Sequence, residues 1–89
     1  MGDSTCIKER RCFLTLKHEM TIERCKEYCR ENGWAIAGVE WSKECFCGND
    51  IPKERIADSN CNRVCSGDSQ QICGGGWAMN IYHVSGEVI

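Results

Sequence analysis

The sequence predicts a small disulfide-rich α+β domain, one main helix packed on a small antiparallel sheet. Three observations carry that prediction. Nine of the 89 residues are cysteine, a density that belongs to a disulfide scaffold in an exported chain. Residues 22–32 repeat apolar side chains at helical spacing between a capping threonine and a glycine. Residues 34–41, 44–48 and 77–84 read as strands bounded by turn residues. A chain this short builds a thin core, and each bridge typically adds ~2–4 kcal/mol by restricting the unfolded chain.

Taken in order, residues 1–5 are polar and expected to fray, the domain proper is 6–84, and 85–89 is a loose tail. Cys12-Phe13-Leu14 suggests a short extended piece. The helix follows: Thr21 caps it, Glu23 complements the dipole, Met20 can staple the first turn, and Gly33 suits its end. Ile22, Cys25, Tyr28 and Cys29 share one face, so both helix cysteines point inward. The strand 34–41 crosses the layer beneath, with Trp34 expected in the core and small residues Ala35, Ala37 and Gly38 admitting the helix. Ser42-Lys43 joins it to 44–48, where Cys45 and Cys47 share a face. Residues 49–68 are polar and turn-rich, anchored by Ile56 and Val64. Cys61 and Cys65 repeat the gap of the helix cysteines and suggest a single helical turn. Cys73-Gly74-Gly75-Gly76 is a close-packing loop, and 77–84 is the last strand.

A net charge of −2 argues against generic binding to nucleic acid or anionic lipid. No apolar run is long enough to span a bilayer. Residues 1–4 lack the charged and apolar regions of an export signal, which is expected upstream. No Asn-x-Ser/Thr acceptor occurs, so no N-glycan is expected. An odd cysteine count leaves one thiol over: free, joined to another chain in a disulfide-linked dimer, or bonded outside this sequence.

The ordered set Cys25–Cys29, GVEW followed by C-F-C-G-N, C-x3-C-S-G-D, then Gln71-Ile-Cys-Gly-Gly and a closing Ile-Tyr resembles the WSC domain. The matching features run from Cys6 to Tyr82. The resemblance implies an extracellular, cysteine-rich module related in fold to PAN/apple domains and generally taken to bind carbohydrate, often wall polysaccharide. It implies four bridges among Cys6, Cys25, Cys29, Cys45, Cys47, Cys61, Cys65 and Cys73. Either Cys6 or Cys12 can fill the first family position; the short gap from Cys12 to Cys25 favours Cys6 and leaves Cys12 over. Eight cysteines allow on the order of a hundred pairings, and analogy with PAN domains suggests only Cys25–Cys45. The opening Thr5-Cys6-Ile7 departs from the family's Gly-Cys-Tyr, and Trp41 stands where Tyr is usual.

Sugars are held by aromatic faces against ring C–H surfaces and by side chains that fork onto hydroxyls. Trp41, Trp77 and Tyr82 are the candidate plates; Glu40, Asn49, Asp50, Asn62, Asp68 and Gln71 are the candidate forks. The plainer alternative is that the tryptophans are core and that the Asn and Asp residues make Asx turns. Zinc is disfavoured, because the gaps are C-x3-C, C-x-C and C-x3-C and no C-x2-C knuckle occurs. No cofactor is expected. No catalysis is expected either: His18 and His83 lack local motifs, and Glu40 and Glu44 sit in a domain too small for a deep cleft. The reading is therefore a non-catalytic, secreted or cell-surface, lectin-like module for polysaccharide or glycan. The alternative is protein recognition by a receptor or secreted factor, with an exposed Trp as hot spot. The basic residues Lys8, Arg10, Arg11 and Lys17 are expected to form a solvated face.

Overall fold

The computed structural model describes residues 5–8, 14–15 (backbone only), 19–51 and 54–85. Cys12, Phe13, Arg10, Arg11, Lys17, His18, Pro52, residues 1–4 and the tail from 86 lie outside them.

One helix packs on a five-stranded antiparallel sheet, and a two-stranded ribbon closes one side. The sheet comprises β1 (Thr5–Lys8), β2 (Leu14–Thr15), β3 (Ile36–Glu40), β4 (Glu44–Gly48) and β7 (Ala78–His83), in spatial order β1-β7-β3-β4-β2. The ribbon pairs β5 (Val64–Cys65) with β6 (Asp68–Ile72). The helix α1 is Ile22–Glu31. No helix among the described residues is long and apolar enough to cross a membrane.

Each end of α1 is closed by its own sequence. Thr21 Oγ1 accepts from the Arg24 amide at 3.1 Å, and buried Met20 packs in the same cluster as Cys25. At the other end Gly33 has φ +85. Its amide reaches the Arg30 carbonyl at 3.1 Å, and the Trp34 amide reaches the Cys29 carbonyl at 2.9 Å, a Schellman closure. This explains one departure from expectation. Trp34 belongs to the helix stop rather than to the strand, which starts at Ile36, and its side chain is exposed rather than core.

β3 is the central strand, paired to β4 and β7 over its whole length. Its side chains alternate between two cores. Ala37 and Val39 pack under α1 with Cys25, Cys29, Cys45 and Met20. On the opposite face Ile36 joins Ile7, Met79 and Ile81, with Phe46 against them. Gly38 also lies on this second face. A Cβ there would sit 2.9 Å from Met79 Sδ, so the glycine makes room for Met79 and not, as the sequence suggested, for the helix.

Four disulfides join the layers: Cys6–Cys61, Cys25–Cys45, Cys29–Cys47 and Cys65–Cys73. Cys25–Cys45, the pairing suggested by analogy, is among them. Two bridges tie the buried face of α1 to β4, whose alternate residues Cys45 and Cys47 face the helix. The Sγ atoms of Cys25, Cys29 and Cys45 lie within 4.8 Å of one another, yet all three are disulfide sulfurs and offer no thiolate to a metal.

Two further expectations are corrected. Thr5, placed in the fraying start, is buried and paired with Ile81 in β1. The helical turn expected over Cys61–Cys65 is absent: a 3-10 turn, Asp58–Asn60, precedes it, and Val64–Cys65 is strand. The two cysteines part to different partners, Cys6 and Cys73, so the C-x3-C gap here is not a helical repeat.

Candidate functional site

The hairpin β3–β4 turns through Trp41, Ser42 and Lys43. Trp41 (φ 52) and Ser42 (φ 74) both occupy the left-handed region, which residues other than glycine seldom adopt. The turn is pinned from two sides. The Ser42 amide donates to the Cys73 carbonyl, and the Ser66 amide donates to the Ser42 carbonyl, each at 3.0 Å. Cys65–Cys73 closes the chain immediately behind these bonds. The loop is therefore held by backbone bonds and a bridge, independently of what its side chains do.

The glycine run is the second wall. Gly74 has φ +70, and a Cβ there would lie 2.5 Å from the Val39 carbonyl oxygen and 2.6 Å from Glu40 Cα. Only a glycine lets this loop lie on the end of β3. The Arg63 amide donates to the Gly74 carbonyl at 2.8 Å, and the Cys73 amide donates to the Arg63 carbonyl at 2.7 Å. Residue 63 is thus fixed beside the loop. A Cβ on Gly76 would lie 3.4 Å from Cζ3 of Trp41, so the Trp41 ring rests against the glycine that precedes Trp77. Trp77 itself is 77% exposed and has φ +60.

Over Trp41 lies Arg63, its guanidinium carbon 4.1 Å from the ring centroid, a cation–π contact. Trp41, Ser42, Lys43 and Arg63 line a shallow hollow of about 240 Å³. One face of Trp41 is therefore taken by Arg63, and Trp77 is the free plate. Asn62, exposed, has its Oδ1 3.2 Å from where a Gly75 Cβ would stand. Trp41, Trp77 and Asn62, three of the nine sequence candidates, thus share one end of the molecule.

The other six do not join them. Asn49 and Asp50 follow β4 at the far end of the hairpin, five residues of ~3.3 Å rise away. Asn49 Oδ1 accepts from the Ala35 amide at 3.0 Å, a structural bond. Tyr82 is half-buried on the helix face, with Lys26 Nζ 5.4 Å from its ring centroid. Asp68 Oδ1 accepts from the Gln70 amide at 2.9 Å, an Asx turn. Glu40 is 2% exposed and lies beneath the site rather than on it. Gln71 serves the helix: Oε1 accepts from the Ile22 amide at 2.9 Å, and Nε2 donates to Glu23 Oε1 at 2.9 Å. That bond, first among the causes, holds the Glu23 carboxyl below the usual carboxylate range.

This arrangement has a testable consequence. A carboxylate lowered by folding stabilises the protein above its unfolded pKa, and the contribution disappears as pH falls through the folded value. Gln71→Ala should return the Glu23 titration towards the ordinary range, read by NMR. It should also leave Ile22 uncapped and lower stability by about 1 kcal/mol. An unchanged Glu23 titration would show that Gln71 does not set it.

Arg63 was missed by the sequence reading. Its only local signal is a position between Cys61 and Cys65, beside Asn62; its contact with Trp41 depends on a turn far away in the chain.

Comparison with known proteins places these features. The chain is 42% identical over 72 residues to xylosyltransferase oxt of Drosophila pseudoobscura pseudoobscura, covering 79% of this chain and 8% of that protein. It is 37% identical over 70 residues to Kremen protein 2 of Homo sapiens, covering 75% and 15% respectively. It is 40% identical over 65 residues to a WSC domain-containing protein of Arthroderma benhamiae, covering 71% and 7%. The chain spans 15% or less of the length of each of these relatives. The family model for the WSC domain matches residues 5–75, a span that includes all eight bridged cysteines, and the chain belongs to the WSC domain family.

Proposed function

We propose that this domain is a non-catalytic, extracellular carbohydrate-binding module, and that its sugar-facing surface is the end formed by Trp77, Trp41, Arg63 and Asn62. The observation that carries the reading is Trp77. A large aromatic side chain stands 77% exposed on a turn whose backbone is fixed by neighbouring loops. It has the form of a rigid plate for the apolar face of a pyranose, and Asn62 supplies donors and an acceptor for hydroxyls. Four disulfides fit an oxidising compartment, which supports a secreted or cell-surface location. The residues lining the hollow include no carboxylate, so binding is the chemistry it suits rather than hydrolysis.

Pull-down on insoluble glucan, xylan and chitin tests the reading. The domain should be retained by at least one of them or by an acidic polysaccharide, and Trp41→Ala should weaken retention by about tenfold. Failure to bind any polysaccharide, together with binding to a protein unaffected by competing sugar, would replace it with protein recognition.

A further inference from the structure

The hollow lined by Trp41, whose ring rests against Gly76, the residue before Trp77, carries charge of one sign. Its lining is an indole, a hydroxyl and two cations, from Trp41, Ser42, Lys43 and Arg63. Among the described residues neither cation makes an ion pair, whereas on the helix Arg30 pairs with Glu27 at 3.8 Å. Arg63 is also not free to wander. Its backbone is bonded on both sides to residues 73 and 74, and its guanidinium carbon sits over the Trp41 ring, 4.1 Å from the centroid. The ring takes one side of the guanidinium, and N–H donors on its other sides remain for a ligand. A planar fork of donors held at a fixed place is the arrangement that captures a carboxylate or sulfate in bidentate fashion. The chain as a whole is acidic, at −2, so the cations are local and do not reflect a generally basic surface.

We infer that the preferred ligand is an anionic polysaccharide, with the sugar ring on Trp77 and its carboxylate or sulfate on Arg63 and Lys43. The inference rests on the carbohydrate-binding reading and narrows it to a substrate class. Ser42 is in the same lining, and its hydroxyl is a neutral donor. Neutral glucans and xylans satisfy the plate and leave both cations without a partner, so they bind less tightly.

The test is a titration of the intact domain against polygalacturonate and heparin, with carboxyl-reduced polygalacturonate and a neutral β-glucan as uncharged partners. The acidic polymers should bind at least about tenfold more tightly than the uncharged ones, since a charge-assisted fork is worth about that factor. Binding should weaken as salt rises. Arg63→Gln should remove most of the preference, Arg63→Lys should restore part of it, and Lys43→Gln should reduce it without touching Trp41. Equal affinity for reduced and unreduced polymer, with Arg63→Gln silent, overturns the anionic preference and leaves carbohydrate binding standing. Acidic binding that survives Trp77→Ala and rises only with polymer charge density overturns it too, as simple ion exchange. Absence of binding to all four polymers overturns the carbohydrate reading itself.

Discussion

Replacing Cys6 and Cys61 together by alanine is expected to lower the unfolding free energy by about 4 kcal/mol, the largest loss from any single bridge. The bridge spans 55 residues of sequence, against 20, 18 and 8 for the others. Closing a longer loop removes more entropy from the unfolded chain. The two helix bridges nested inside shorten the effective loop, but closure entropy is logarithmic and a halving is worth only ~0.6 kcal/mol. No other bridge duplicates its constraint. Cys25–Cys45 and Cys29–Cys47 do duplicate each other: with one intact, the other closes only a short remaining loop. Removing Cys25–Cys45 alone should therefore cost roughly 2 kcal/mol. For a domain whose whole stability is of order 5–15 kcal/mol, the first loss is severe.

Denaturant unfolding of the two double variants measures this ranking. A larger loss for Cys25–Cys45 than for Cys6–Cys61 would show that helix–sheet packing, and not chain closure, governs the effect. The first variant should also disturb the candidate site. Cys61 directly precedes Asn62 and Arg63, and Gly75 packs against the Asn60 carbonyl with no room for a side chain. Loosening residue 61 loosens the strip that carries the fork.

Signals that are local in sequence translated directly into structure. The threonine cap, the inward cysteines and the glycine stop delimit α1 within one residue, and β4 spans the expected 44–48. The eight bridged cysteines were legible only through the family resemblance, and of their pairings only Cys25–Cys45, by analogy; the other three depend on how distant strands and loops meet. The β5–β6 ribbon is not legible. Its shorter strand has two residues, and it is held by distant partners: Met20 donates from its amide to Ser66 Oγ at 2.8 Å, and Gln71 caps the helix. Glu40 misled for a related reason. As the last residue of β3 beside a turn it reads as accessible, yet strands pair along both of its edges. Trp34 misled because a small chain usually spends its tryptophans on the core, whereas here the position is the last residue of a helix stop. In the candidate site, Trp41 and Trp77 could be found because both adjoin turns. Arg63 could not, since the contact requires Trp41 in the left-handed region and residues 63 and 73–74 aligned by long-range backbone bonds.

Trp77→Asn is expected to lower polysaccharide affinity by about thirtyfold or more while raising stability. The affinity loss follows from removing a central aromatic anchor, which typically costs about 2 kcal/mol or more. The stability gain follows from the backbone. At φ +60, Trp77 occupies a conformation that costs an L-residue roughly 1–2 kcal/mol, least for Gly, Asn and Asp. It sits third in the turn Gly75–Ala78, closed by the Gly75 amide to the Ala78 carbonyl at 2.9 Å, a place where glycine or asparagine is usual. The strain is not offset by burial, because 77% of the side chain faces solvent. Asparagine tolerates the same backbone without glycine's added freedom in the unfolded chain. A gain of about 1 kcal/mol should raise the melting temperature by roughly 4–8 °C in a domain of this size. Trp77→Phe should keep part of the affinity and none of the stability gain. A melting temperature that falls with Trp77→Asn would mean that the indole packs against the fold and is not presented by it. Unchanged affinity would remove Trp77 from the binding surface. The two results together, weaker binding and a more stable domain, are what a residue kept for its ligand at the expense of its own backbone must give.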